Sequence, residues 1–102
     1  MTQPSPIRPG LTKEQWRAFA NDLLRVRYGR LGAVELVHYW DNHREGDSVL
    51  DVFLCNFSHY ETDISYSAEG GHRWNELQAS LERAAILMLA GKQRSAAAIT
   101  FL

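Results

Sequence analysis

Ser48-Val49-Leu50-Asp51-Val52-Phe53-Leu54-Cys55-Asn56-Phe57 is the stretch on which the reading of the fold turns. Drawn as an extended chain, it places Val49, Phe53, Cys55 and Phe57 on one side and Leu50, Val52 and Leu54 on the other, because successive side chains of a strand point to opposite faces. Apolar residues on both faces predict an interior strand, with Cys55 as a small core residue. Upstream, residues 33–40 are enriched in β-branched and aromatic side chains, with Val34, Leu36 and Trp40 on one face and Val37 and Tyr39 on the other. They predict a first strand. Between the two, residues 41–47 are polar and include Gly46, as a hairpin loop requires. Downstream, Ser58-His59-Tyr60 reads as a second turn. Residues 61–68 then alternate, with Thr62, Ile64, Tyr66 and Ala68 inward and Glu61, Asp63, Ser65 and Ser67 outward.

Helical signals lie further out. Thr12 followed three residues later by Gln15 is a capping box, and Leu11 with Trp16 occupies the positions of a hydrophobic staple. Trp16, Phe19, Ala20, Leu23 and Leu24 then form one apolar stripe, and Gly29 and Gly32 end the helix. A second helix is predicted from His72 to Ala90. Its stripe is Trp74, Leu77, Leu81, Ala84, Ala85 and Met88, and Gly91 stands where a helix turns off. Residues 1–10 hold all three prolines and little to bury, so they predict a mobile arm ahead of a single domain at 11–102. Residues 96–102 either add a short strand through Ile99 and Phe101 or dock as a hydrophobic tail.

The expected fold is therefore α+β, in the order α-β-β-β-α: a three-stranded antiparallel meander with two helices packed on one face. Over residues 11–91 that order of elements resembles the double-stranded RNA-binding domain. The resemblance implies lysines at the start of the last helix and a Gly-Pro-x-His loop between the first two strands. Here the helix opens His72-Arg73-Trp74-Asn75-Glu76, and the loop has Gly46 and His43 but no proline.

Composition sets further bounds. At 102 residues with 45% hydrophobic and 23% charged side chains, the chain has the profile of one globular domain. The apolar run 84–90 is far shorter than the roughly 20 residues that span a bilayer. No signal-peptide core is seen, and the one cysteine cannot pair internally. A soluble, cytoplasmic protein is expected.

Charge supplies the strongest functional hint. Residues 1–30 carry six basic and two acidic groups, residues 31–71 one basic and eight acidic, and residues 72–102 four basic and two acidic. An acidic sheet-and-loop surface of this kind would steer the domain toward a basic patch on another protein. The leading expectation is a non-enzymatic binding module of inhibitor, immunity or nucleic-acid-mimic type. Asp41, Glu45, Asp47, Glu61 and Asp63 would supply charge, with Trp40 and Tyr60 as exposed anchors beside the loops. A nucleic-acid-binding domain using Arg17, Arg25, Arg27 and Arg30 ranks second. Third is a homodimeric structural or accessory protein, formed through Ile86, Leu87, Leu89 and the C-terminal Ile99 and Phe101.

Other chemistries lack a motif. His38, His43, His59 and His72 have none of the spacings that aim two ligands at one ion, so neither a metal nor another cofactor is expected. Gly70-Gly71 lacks the further glycine and lysine of a phosphate loop, and no G-x-S-x-G elbow occurs.

Overall fold

The computed structural model describes residues 10–44 and 46–101, apart from the Arg44 side chain. Five helices follow in order: α1 (Lys13–Arg27), α2 (Ala33–Arg44), α3 (Ser48–Tyr66), α4 (His72–Leu89) and α5 (Gln93–Ala97). No strand occurs among the described residues. The α+β expectation is thus corrected to an all-helical architecture. The first predicted strand lies in α2, the second and third are parts of the single helix α3, and the C-terminal strand gives way to α5 and a short tail. The resemblance to the double-stranded RNA-binding domain rested on the order of elements and goes with the sheet. Of the predicted arm only Gly10 lies within the described residues.

The physical reason is visible in α3. Leu50, Phe53, Leu54, Phe57 and Tyr60 recur at helical spacing, and none is more than 2% exposed. The apolar run at 49–57 satisfies both a period of two and one of 3.6, so the residues around it decide. Asp47 caps the helix, its Oδ1 accepting from the N–H groups of Val49 at 2.9 Å and Leu50 at 3.0 Å. No glycine or proline interrupts residues 48–66, and the predicted turn at 58–60 is simply a helical turn that buries Tyr60. Two details of the strand reading fall as a consequence. Tyr66, placed inward by alternation, is 87% exposed, and Cys55 is exposed because a rotation of about 100° per residue carries it past the buried face.

In α2 the same rule buries Leu36 and Trp40. Glu35 closes the start of this helix by accepting from the Gly32 N–H at 3.0 Å.

The terminal helices form as expected. Thr12 Oγ1 accepts from the Gln15 N–H at 3.1 Å, and Gln15 Oε1 accepts from the Thr12 N–H at 2.9 Å. At the other end Gly29, with φ of 75°, lets the Arg30 N–H reach back to the Arg25 carbonyl at 2.7 Å. α4 ends in the same way at Gly91, where the Lys92 N–H reaches the Leu87 carbonyl at 2.8 Å.

α1 packs most extensively on α4. Phe19, Ala20 and Leu23 meet a stripe that includes Leu77, Leu81, Ala84 and Ala85, all buried in one core. α2 covers part of α1 and α3, and α5 bridges α3 and α4. Aromatic rings run through this core from α1 to α3, with Phe19 5.5 Å from Phe53, Phe53 5.9 Å from Phe57, and Phe57 5.1 Å from Tyr60. Phe101 closes the row, within 5.9 Å of Phe53, Phe57 and Tyr60. Its φ of 58° lies in the left-handed region, a conformation that a bulky residue holds only when its surroundings compensate. The compensation is the ring's burial together with a hydrogen bond from Arg73 Nη2 to the Phe101 carbonyl at 2.8 Å. No helix of the described residues is long and apolar enough to cross a membrane.

Candidate functional site

With Leu36 and Trp40 turned inward, α2 is left presenting apolar side chains to solvent. Val34 is 60% and Tyr39 71% exposed, and the exposed Glu35 and His38 lie with them on one side of the helix. Between this side and α1 lies an open groove of about 1060 Å³, with walls that include Ala18, Leu31, Val34 and Tyr39.

Trp40 sits at the base of the groove. Its indole Nε1 donates to Asp22 Oδ2 at 2.9 Å, and Arg25 Nη1 donates to Asp22 Oδ1 at 3.3 Å. One α1 carboxylate is thereby held by two donors, and it ties α2 to α1. The Trp40 ring contacts Phe19 at 5.2 Å beneath and Tyr39 and His43 at 5.5 and 5.3 Å. This fixes the wall of the groove on an aromatic support.

The residues expected to carry charge and anchoring are dispersed. Asp41 is exposed on α2, and Glu61 is half-buried on α3. Glu45 lies outside the described residues. Asp47 is buried, with its oxygens committed to backbone N–H groups. Asp63 is paired with Arg73 at 2.6 Å. Neither Trp40 nor Tyr60 is an exposed anchor, at 3% and 2% exposure. The helical period turns both toward the core, and Tyr60 donates to Gln78 Oε1 at 3.3 Å. Tyr39, one position before Trp40, is the exposed aromatic instead. Its signal was the i, i+4 pair Leu36 and Trp40, which once taken as the buried face of a helix leaves Val34 and Tyr39 outside.

The four arginines proposed for nucleic acid do not share a face, since Arg27 is about 200° around α1 from Arg25 at 100° per residue. Arg25 is paired with Asp22 at 3.3 Å, and Arg27 lies 3.8 Å from Glu82 with its guanidinium 5.0 Å from the Tyr28 ring centroid. Arg17 and Arg30 are exposed. Of the residues expected at a dimer interface, Ile86 and Leu89 are exposed, at 58% and 42%, while Leu87 and Ile99 are partly buried and Phe101 is core. His38, His59 and His72 are exposed and His43 is half-buried. Among the described residues no three His, Cys, Asp or Glu side chains gather around a point where an ion could sit.

No protein-family model matches the chain, and neither a curated protein nor a solved structure is significantly similar to it.

Proposed function

We propose that this chain is a non-enzymatic protein-binding module whose α1–α2 groove receives a basic, amphipathic helical segment of a partner protein. The observation that carries this reading is the exposure of two large apolar side chains of α2, Val34 at 60% and Tyr39 at 71%, both on the wall of the groove together with Glu35. Large apolar side chains that a small domain leaves in water at the lip of a groove are what an amphipathic helix covers. Glu35 beside them selects the sign of the partner's polar edge. Arg25, the arginine of the groove, is already engaged by Asp22, so Glu35 sets the sign of the charge that the groove offers a partner. Tyr39 is the anchor, in keeping with the enrichment of tyrosine at the energetic centres of interfaces.

The test is titration of isotope-labelled protein with a helical peptide carrying leucine at i, i+3 and i+4 and lysine elsewhere, against its glutamate counterpart. Saturable shifts confined to α1 and α2, weakened by Tyr39→Ser, support the reading. Equal binding of the glutamate peptide, or shifts centred on α4, contradict it.

A further inference from the structure

A second hollow, of about 500 Å³, opens at the end of the bundle where α1 begins and α4 gives way to α5. We infer that it binds a small amphiphile with an anionic head, a carboxylate or a phosphate. The volume falls within the usual range for small-molecule sites of about 300–1,000 Å³. Three cationic side chains stand on its rim: Lys13 and Arg17, one turn apart on α1, and Arg94 on α5. All three are exposed, and none has an ion-pair partner among the described residues. This sets them apart from Arg25, Arg27 and Arg73, each of which has a carboxylate within 4 Å.

Asp47 also borders the hollow but does not serve as their counter-ion. Its Oδ2 accepts from the Leu11 N–H and its Oδ1 from the Val49 and Leu50 N–H groups. An anionic head placed among Lys13, Arg17 and Arg94 would receive charge-assisted hydrogen bonds and relieve the repulsion between them.

Apart from Gln93 and these charged groups, the side chains of the lining are apolar. Leu11, Val49 and Leu89 form the sides, over Trp16 and Met88. On the far side of Arg94 a shallower hollow of about 300 Å³ continues over Val49, Val52 and Ala98, and Val52 is 50% exposed. Arg94 and Val49 border both hollows. A head group held by the cations thus has an adjoining apolar surface on which a short alkyl or aromatic body can lie. None of these lining residues belongs to the α1–α2 groove, so the two sites stand or fall separately.

The experiment is calorimetry and amide-shift mapping of the intact chain with four probes of one tail length: octanoate, octyl phosphate, octanol and octyltrimethylammonium. Saturable one-to-one binding of octanoate or octyl phosphate, with shifts at residues 11–17 and 89–94, is expected, and the tighter of the two identifies the head group. Binding weakens as salt is added. The double variant Arg17→Ala/Arg94→Ala should lose tenfold or more in affinity while its melting temperature stays that of the wild type, since both side chains are exposed. Octanol or octyltrimethylammonium binding as tightly as the anions would overturn the inference. So would wild-type affinity in the double variant, or no saturation with either anion by ~10 mM.

Discussion

Asp47 Oδ2 accepts a hydrogen bond from the Leu11 N–H at 2.7 Å, joining the residue just before the α1 cap to the start of α3 across 36 positions of sequence. The other oxygen of the same carboxylate caps α3 through Val49 and Leu50. One buried side chain therefore sets two helix starts at once, which is why an acid in this position is structural.

Removing that carboxylate should be costly. Asp47→Ala loses an N-cap, worth about 1–2 kcal/mol, and also leaves the Leu11 N–H without its acceptor. Chemical denaturation should show a fall at or above the upper end of that range. Amide exchange should accelerate at Leu11, Val49 and Leu50 together. Acceleration at Val49 and Leu50 alone would show that the link to α1 contributes nothing.

The Trp40 indole and Asp22 should be energetically coupled. Trp40→Phe keeps the ring against Phe19 but removes the donor to Asp22, a loss of about 1 kcal/mol for a partly buried hydrogen bond. A double-mutant cycle with Asp22→Ala should return a coupling of about 0.5–1.5 kcal/mol. Strict additivity would mean that α2 is held on α1 by packing alone.

Tyr60 should make the fold sensitive to alkali. Burial raises its phenol pKa above the ordinary value, outweighing the opposing effects of the Gln78 hydrogen bond and the Arg27 charge. Since the folded state holds this proton more tightly than the unfolded chain, the stabilisation is complete below a pH of about 10 and is lost as pH climbs through the folded value. Tyr60→Phe should be slightly less stable at neutral pH, yet lose less stability than the wild type above pH ~10. Parallel stability curves for the two proteins would show that the phenol titrates as it does in the unfolded chain.

Phe101 should prove to be a core residue despite its place near the chain end. Phe101→Ala should cost about 3 kcal/mol, in the range for a large buried aromatic, and should disperse the ring-current shifts of Phe57 and Tyr60. An effect near zero in equilibrium unfolding would place the C-terminal segment outside the cooperative core.

How far the fold was legible follows from where each helix keeps its signals. α1 and α4 carry theirs at the ends, in the Thr12–Gln15 box and in Gly29 and Gly91, and apolar stripes of one period join those ends. α3 offers the opposite case. Seven of its first ten residues are apolar, and Leu50, Phe53, Leu54 and Phe57 read equally well on a strand or a helix. The tie was broken by Asp47 as a cap and by Tyr60 as the next step of the stripe, two residues whose charge and aromaticity suggested binding instead. The same substitution of one role for another displaced the site. A strand period sets Trp40 and Tyr60 at loop edges as exposed anchors, whereas a helical period buries both and brings out Tyr39. The cationic rim of Lys13, Arg17 and Arg94 joins residues from opposite ends of the chain, and no local pattern announces it.

The all-helical arrangement around α2 and α3 depends on residues 48–66 forming one uninterrupted helix. Backbone chemical shifts with sequential amide–amide nuclear Overhauser contacts along that stretch test this most directly. Helical Cα shifts and unbroken contacts from Ser48 to Tyr66, with Asn56 to Tyr60 showing no turn, are the predicted result. Extended-chain shifts at 49–57 together with contacts to residues 33–40 in strand register would contradict it, and the groove and both binding proposals would fall with it.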